Sequence, residues 1–205
     1  MLGRLFRGRA TMDADQWLVV GLGNPGPTYA RNRHNVGHMV IDVLAERAGL
    51  AFKSHKAGAA VAEGRLRPGG PRVVLAKPAT FMNVSGAPVA ALAKFYKIPP
   101  ERIVVVHDEL DIDFDTVRIK SGGGHGGHNG LRDIVARLGT QDFVRVRVGI
   151  GRPPGRQDPA DFVLKDFSST ERQVVPNLLE DAADAVDAIA TDGVLAAQNR
   201  VNQRP

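Results

Sequence analysis

The chain has 205 residues, a net charge of +5 and no cysteine. Disulfide frameworks and thiolate metal sites are therefore excluded, and no apolar run reaches the roughly 18–20 residues that a membrane helix needs. The basic surplus favours a polyanionic partner such as nucleic acid, because each neutralised phosphate releases counterions.

Residues 1–16 open MLGRLFRGRATMDAD, which is basic but lacks the apolar stretch of a secretory signal. They read as a flexible basic tail, with Met12 as an alternative start, on a cytoplasmic protein. Residues 17–22 (WLVVGL) read as a buried strand. From Val36, the residues Met39, Val40, Val43 and Leu44 recur at helical spacing, with Asn35 placed as the cap and Gly49 as the stop. Two strands, AVAEGRL and RVVLAK, flank the turn Arg67-Pro68-Gly69-Gly70. A loop at 80–86 (TFMNVSG) precedes a helix over 88–96, which Pro99-Pro100 closes.

Residues 102–107 (RIVVVH) form a continuous apolar strand, the mark of a sheet covered on both faces. A short strand over 116–120 leads to a glycine-rich loop (122–130) and a helix over 131–138. Residues 143–150 (FVRVRVGI) alternate as a strand does, so Arg145 and Arg147 share one face. A long amphipathic helix spans 169–190, with Ser168 and Glu171 spaced as a capping box. Asp192-Gly193 breaks it before a last helix that runs to about Val201. Strands alternating with helices predict an α/β fold. The expected form is a single domain over 17–205, a three-layer α/β/α sandwich around a mixed, largely parallel twisted sheet.

Gly21-Leu22-Gly23-Asn24-Pro25-Gly26 fits the dinucleotide pattern G-x-G-x-x-G. That motif needs its third glycine at a helix start and an acidic residue about 20 residues on, closing a second strand. Here prolines flank Gly26, and Asp42 and Glu46 fall inside the first helix. The glycines instead imply a tight turn with close backbone approach, holding Asn24 beyond a strand end.

The segments leaving the apolar strands are dense in Asn, His and Asp: Asn24, Arg33-His34-Asn35, Asn83, His107-Asp108-Glu109, His125 and His128-Asn129. Their convergence would make one pocket. The acidic run 108–115 lacks the glycine of a calcium loop. His125 and His128 lack a third zinc ligand nearby, so neither metal nor cofactor is expected. A histidine beside an aspartate can act as a general base, and asparagine amides can donate to a developing oxyanion. That describes hydrolysis by activated water; ester and amide substrates both remain open on the chemistry.

Taken together, the motifs GLGNPGPTY, RHNVG, KPATFMNVSG, HDELD, GGGHGGHNGLRD, RVRVGIGRP and FVL resemble the bacterial peptidyl-tRNA hydrolase family in order, from about Trp17 to Asn199. No motif position departs from the pattern. The resemblance implies a monomeric enzyme that cleaves the ester between a peptide and the terminal ribose of tRNA. His34 matches the histidine that activates water, and Asp108 the aspartate that keeps it basic. Asn24 matches the asparagine tied to telling blocked from free aminoacyl-tRNA. Asn83 and Asn129 match those holding the peptide backbone and tRNA end. Tyr29 and Phe81 match substrate-contacting aromatics, and Lys120 and Arg147 a basic pair clamping the tRNA terminal phosphate. Arg118, Arg132 and Arg145 lie near the same part of the chain and suit phosphate contacts. The competing readings are a non-catalytic RNA-binding protein using the same basic face, and a nicotinamide-dependent oxidoreductase.

Overall fold

A computed structural model describes residues 15–203. The basic tail expected at residues 1–16 and the start at Met12 lie outside the described residues, apart from residues 15 and 16. Seven strands form one sheet: β1 (Trp17–Gly21), β2 (Lys53–His55), β3 (Ala59–Arg65), β4 (Arg72–Pro78), β5 (Ile103–Glu109), β6 (Val117–Ser121) and β7 (Val144–Gly149). The helices are α1 (Val36–Arg47), α2 (Gly86–Tyr96), α3 (Asn129–Leu138), α4 (Pro159–Val163), α5 (Glu171–Asp192) and α6 (Val194–Asn202), with short 3₁₀ turns at Arg33–Asn35 and Met82–Val84.

The strand order is β2-β3-β4-β1-β5-β7-β6. The four central strands β4, β1, β5 and β7 run parallel, while β2–β3, β3–β4 and β6–β7 are antiparallel. The sheet is thus parallel at its centre and antiparallel towards both edges. Alternate strand residues feed two cores. Val19, Val104, Val106 and Val146 pack with Ile41, Leu44, Leu178 and Val186, whereas Leu18, Val20, Val74 and Val105 pack with Leu92, Ile134 and Phe143. Helices α1, α5 and α6 therefore cover one face and α2 and α3 the other, which makes the three layers.

Residues 144–149 are covered on both faces, so their alternation does not mark a half-solvated strand. The short β2 (KSH) was not expected, because three polar residues give no strand signal. The Ser168–Glu171 capping box forms as expected: the Ser168 N–H donates to the Glu171 carboxylate at 2.6 Å, and the Glu171 N–H to Ser168 Oγ at 3.2 Å.

Glycine lets α1 begin hard against the ends of β1 and β5. A Cβ on Gly37 would lie 2.4 Å from the Val106 carbonyl oxygen and 2.5 Å from Leu22 N, and one on Gly21 would lie 2.2 Å from Gly37 O. The Leu22 N–H donates to Val106 O, and the His38 N–H to Leu22 O. Gly23 in turn lies on the His38 ring, 2.7 Å from Cγ to where its Cβ would be. The opening glycines are thus a close-packing device, as the sequence implied. Gly37→Ala should lower Tm by roughly 2–12 °C, from about 1–3 kcal/mol of overpacking at roughly 2–4 °C per kcal/mol. Thermal unfolding checks this, and an unchanged Tm would show that the crossing has slack.

Candidate active site

Three residues beyond β1, the Asn24 main chain is clasped by the Asn35 side chain. The Asn24 N–H donates to Asn35 Oδ1 at 2.9 Å, and Asn35 Nδ2 donates to the Asn24 carbonyl at 2.9 Å. Asn35 was expected to cap α1, but its side chain makes no cap bond and is spent on this clasp. Asn24 Oδ1 accepts the Met82 N–H at 2.8 Å. Its Nδ2 is therefore the donor end, and the residue lines a cavity of about 660 Å³.

His34 sits in the 3₁₀ turn before α1, with Nδ1 2.9 and 3.0 Å from the two oxygens of Asp108. Asp108, in β5, has a side chain only 3% exposed. A carboxylate accepts, so His34 Nδ1 carries the proton and Nε2 holds the basic lone pair. His128 Nε2 lies 3.0 Å from the same carboxylate, while its Nδ1 accepts the N–H groups of Gly130 and Leu131 as the cap of α3. The His34 and His128 rings stand 5.1 Å apart. His34, Asp108, Asn24, Phe81, Asn83 and Asn129 all line the cavity with His128.

The two residues before His34 hold the opposite wall. Arg33, 6% exposed, donates to the carbonyls of Lys165 and Asp166 and pairs with Glu171. Its guanidinium also lies 4.2 Å from the centre of the Phe162 ring. Asn32 donates to the Asp166 carboxylate at 2.7 Å. The segment so pinned includes α4 and Leu164, which close the cavity on that side.

The peptidyl-tRNA hydrolase family matches residues 18–205. The peptidyl-tRNA hydrolase of Arthrobacter sp. (strain FB24) is 65% identical over 186 residues, covering 91% of this chain and 96% of the relative. That of Leifsonia xyli subsp. xyli (strain CTCB07) is 65% identical over 184 residues, covering 90% and 95%. The crystal structure of the Acinetobacter baumannii peptidyl-tRNA hydrolase is similar with a TM-score of 0.85 at 39% identity, covering 92% of this chain and 95% of that one. This chain belongs to the peptidyl-tRNA hydrolase family.

Three residues that the family resemblance singled out lie outside the cavity lining. Tyr29 stands edge-on to Phe81, with ring centres 6.3 Å apart, and Phe81 is half exposed at the rim. Lys120 and Arg147 lie on β6 and β7. There, the antiparallel register sets Lys120 opposite Arg145 and Arg118 opposite Arg147, so all four basic residues share one face. Their surroundings differ. Lys120 is exposed. Arg147 pairs with Glu109 at 3.0 Å. Arg145 is 2% exposed and donates to the carbonyls of Gly123 and Gly124. Its expected role as an open phosphate contact is corrected: it is a buried cation bracing the glycine loop.

The electrostatics follow from burial and pairing. Burial opposes charge on His34, but the Asp108 charge and hydrogen bond outweigh it, and the pKa is raised above 6.5. Burial likewise opposes charge on Asp108, yet His34 and His128 hold its carboxyl well below the usual carboxylate range. His107, buried beside them, donates Nδ1–H to the Asp108 carbonyl at 2.7 Å, and burial pushes its pKa down to about 3.

Among the described residues, His34, Asp108 and His128 bring their ligand atoms within 4.8 Å of one another, close enough to test for a metal. A metal on His128 Nε2 would leave the ring proton on Nδ1, aimed at the N–H groups of Gly130 and Leu131. The donor set suits a shared carboxylate and not a cation. The sequence placed Arg33, Asn35 and His128 among the converging polar segments, but it read Asn35 as a helix cap, weighed His128 further only as a zinc ligand and gave Arg33 no role of its own. The usable signal for His128 was its position at a predicted helix start. Asn35→Ala would leave the N–H and carbonyl of Asn24 buried without partners, at about 1–3 kcal/mol each. A Tm reduced by several degrees, together with a lower kcat/KM, is expected from calorimetry and kinetics on that variant.

Proposed function

We propose that the protein hydrolyses the ester between a peptide, or an N-blocked amino acid, and the 3′-terminal ribose of tRNA, freeing tRNA from prematurely released peptidyl-tRNA. The observation that carries the mechanism is His34 bonded through Nδ1 to buried Asp108, with Nε2 left as the base beside the cavity. Water gives a proton to Nε2 and its oxygen attacks the ester carbonyl. Asp108 stabilises the imidazolium that results. As the tetrahedral intermediate collapses, the ester C–O bond breaks and the imidazolium returns the proton to the ribose oxygen. The products are a free tRNA terminus and a peptide carboxylic acid, which loses its proton to solvent and leaves as the carboxylate. No covalent enzyme intermediate, metal or cofactor takes part.

Asn24 Nδ2 is the donor end that faces the substrate, because its oxygen is held by Met82. Asn83 and Asn129 hold the peptide backbone and the tRNA end. Tyr29 and Phe81 offer aromatic surface to the terminal bases or ribose. Lys120 and Arg147 take the terminal phosphate on the basic face of β6 and β7. Residues 17–205 act as one domain and one monomer, in the cytoplasm where translation supplies the substrate. Among the described residues no helix is long and apolar enough to cross a membrane.

Cleavage of N-acetyl-aminoacyl-tRNA, with the free-amine form spared, tests reaction and selectivity together; binding without release would favour an RNA-binding protein. His34→Ala should cut turnover by roughly 10²–10⁴, and near-normal turnover would sink the assignment. Because the base must be neutral, kcat/KM should rise with pH through the raised His34 pKa, placing the acid limb above 6.5. A limb below that value would contradict the His34–Asp108 assignment. Lys120→Ala should weaken tRNA substrates and flatten the salt dependence by about one charge.

A further inference from the structure

The mechanism above uses His34 and Asp108 but leaves His128 idle, although it touches the same carboxylate. Its Nδ1 accepts from Gly130 at 3.2 Å and from Leu131 at 3.4 Å. Both partners are N–H donors, so Nδ1 must be bare and the ring proton must sit on Nε2, 3.0 Å from Asp108 Oδ1. The first turn of α3 thereby fixes the tautomer of His128 and aims its proton at Asp108. The same carboxylate then receives two imidazole N–H groups, one from His34 and one from His128.

We propose that His128 is a positioning residue, with its tautomer locked by the start of α3, that sets the base strength of His34 by sharing the Asp108 carboxylate. This rests on the catalytic reading of His34 given above. A second donor draws charge from the carboxylate, so Asp108 supports the His34 imidazolium less than it would alone. More of the base is then neutral at a given pH, while the orientation of Asp108 is held from both sides. Asn129 follows His128 directly and lines the cavity, so the loop that meets substrate also holds the donor that tunes the base.

The charged and titratable groups facing His34 are otherwise unchanged by a substitution at His128. Asp108 comes from β5, with His107 beside it. Glu109, Asp111, His125, Arg152 and Asp158 line the same cavity. Arg33, next to His34 in its own turn, is turned away to Glu171.

Two substitutions separate the donor from the cap. Asparagine is a favoured helix cap but is too short to reach Asp108, so His128→Asn keeps the start of α3 and deletes the donor. Glutamine reaches further, so His128→Gln restores an N–H to Asp108 and gives up the cap. The His34 midpoint is read by NMR titration of ¹⁵N-labelled imidazole and, independently, as the acid limb of kcat/KM on N-acetyl-aminoacyl-tRNA. In His128→Asn both should move up by roughly half a unit to one unit, the scale of one lost hydrogen bond to a charged group. The value of kcat should fall while KM stays within about twofold. His128→Gln should return the midpoint towards that of the parent protein. An unmoved midpoint in His128→Asn would overturn the proposal. So would equal shifts in both variants, since the N–H restored in His128→Gln would then have no effect, and a shift in His128→Gln alone would mark His128 as a structural cap. The NMR readout keeps this test separate from the reading of the reaction: if the parent protein fails to cleave the ester, that reading falls, whereas the midpoint still reports on His128.

Discussion

Asp108 brings a carboxylate to the buried end of β5, where an uncompensated charge would cost several kcal/mol even after the protein relaxes. The compensation is two N–H donors from two different parts of the chain, the turn before α1 and the loop before α3. The same bonds hold both histidines in defined tautomers and leave one lone pair, His34 Nε2, for chemistry. A buried acid that could sit unpaired would impose none of this. The requirement that it be satisfied ties β5, α1 and α3 together at one point and orients His34 there.

The rest of the fold serves that point. The Gly21–Gly37 crossing lets α1 start within contact of the ends of β1 and β5, so His34 in the preceding turn can reach Asp108. Asn35 then clasps Asn24, and Asn24 holds the Met82 N–H. A single turn of chain thus positions His34, the glycine-turn asparagine and the 3₁₀ turn that carries Asn83. Arg33 extends the same turn in the opposite direction, fixing residues 165–171 through their carbonyls and Glu171. Residues 32–35 thus tie several of the cavity walls to one another.

Much of this was legible in the residues. Apolar runs marked β1 and β5 because strands covered on both faces carry no polar alternation, and the Ser168–Glu171 spacing announced its cap. The site residues lay in short polar motifs at element ends, where family resemblance is sharpest. What was not legible depended on three-dimensional accounting of donors and acceptors. Asn35 stands where a helix cap belongs, so local rules read it as one, yet a clasp on a residue eleven positions away claims its amide. Arg145 and Arg147 are equivalent by alternation, but the glycine-loop carbonyls claim the first and Glu109 the second. β2 is strand only because β3 offers it an edge.

On the proposed function, the parallel register of β5 and β7 links chemistry to recognition. It sets His107 opposite Arg147 and Asp108 opposite Val148, and neighbouring strands stay about 4.8 Å apart. The acid that orients the base and the arginine assigned to the terminal phosphate are therefore held by adjoining rungs of one sheet, with no hinge between them. Glu109 tightens the link, since it follows Asp108, lines the cavity and pairs with Arg147. On the proposed function, a phosphate drawn to Arg147 competes with Glu109 for the guanidinium, and the carboxylate it displaces sits at the cavity edge. Binding of the tRNA terminus and the electrostatics of the cavity are then coupled by one rigid strand pair.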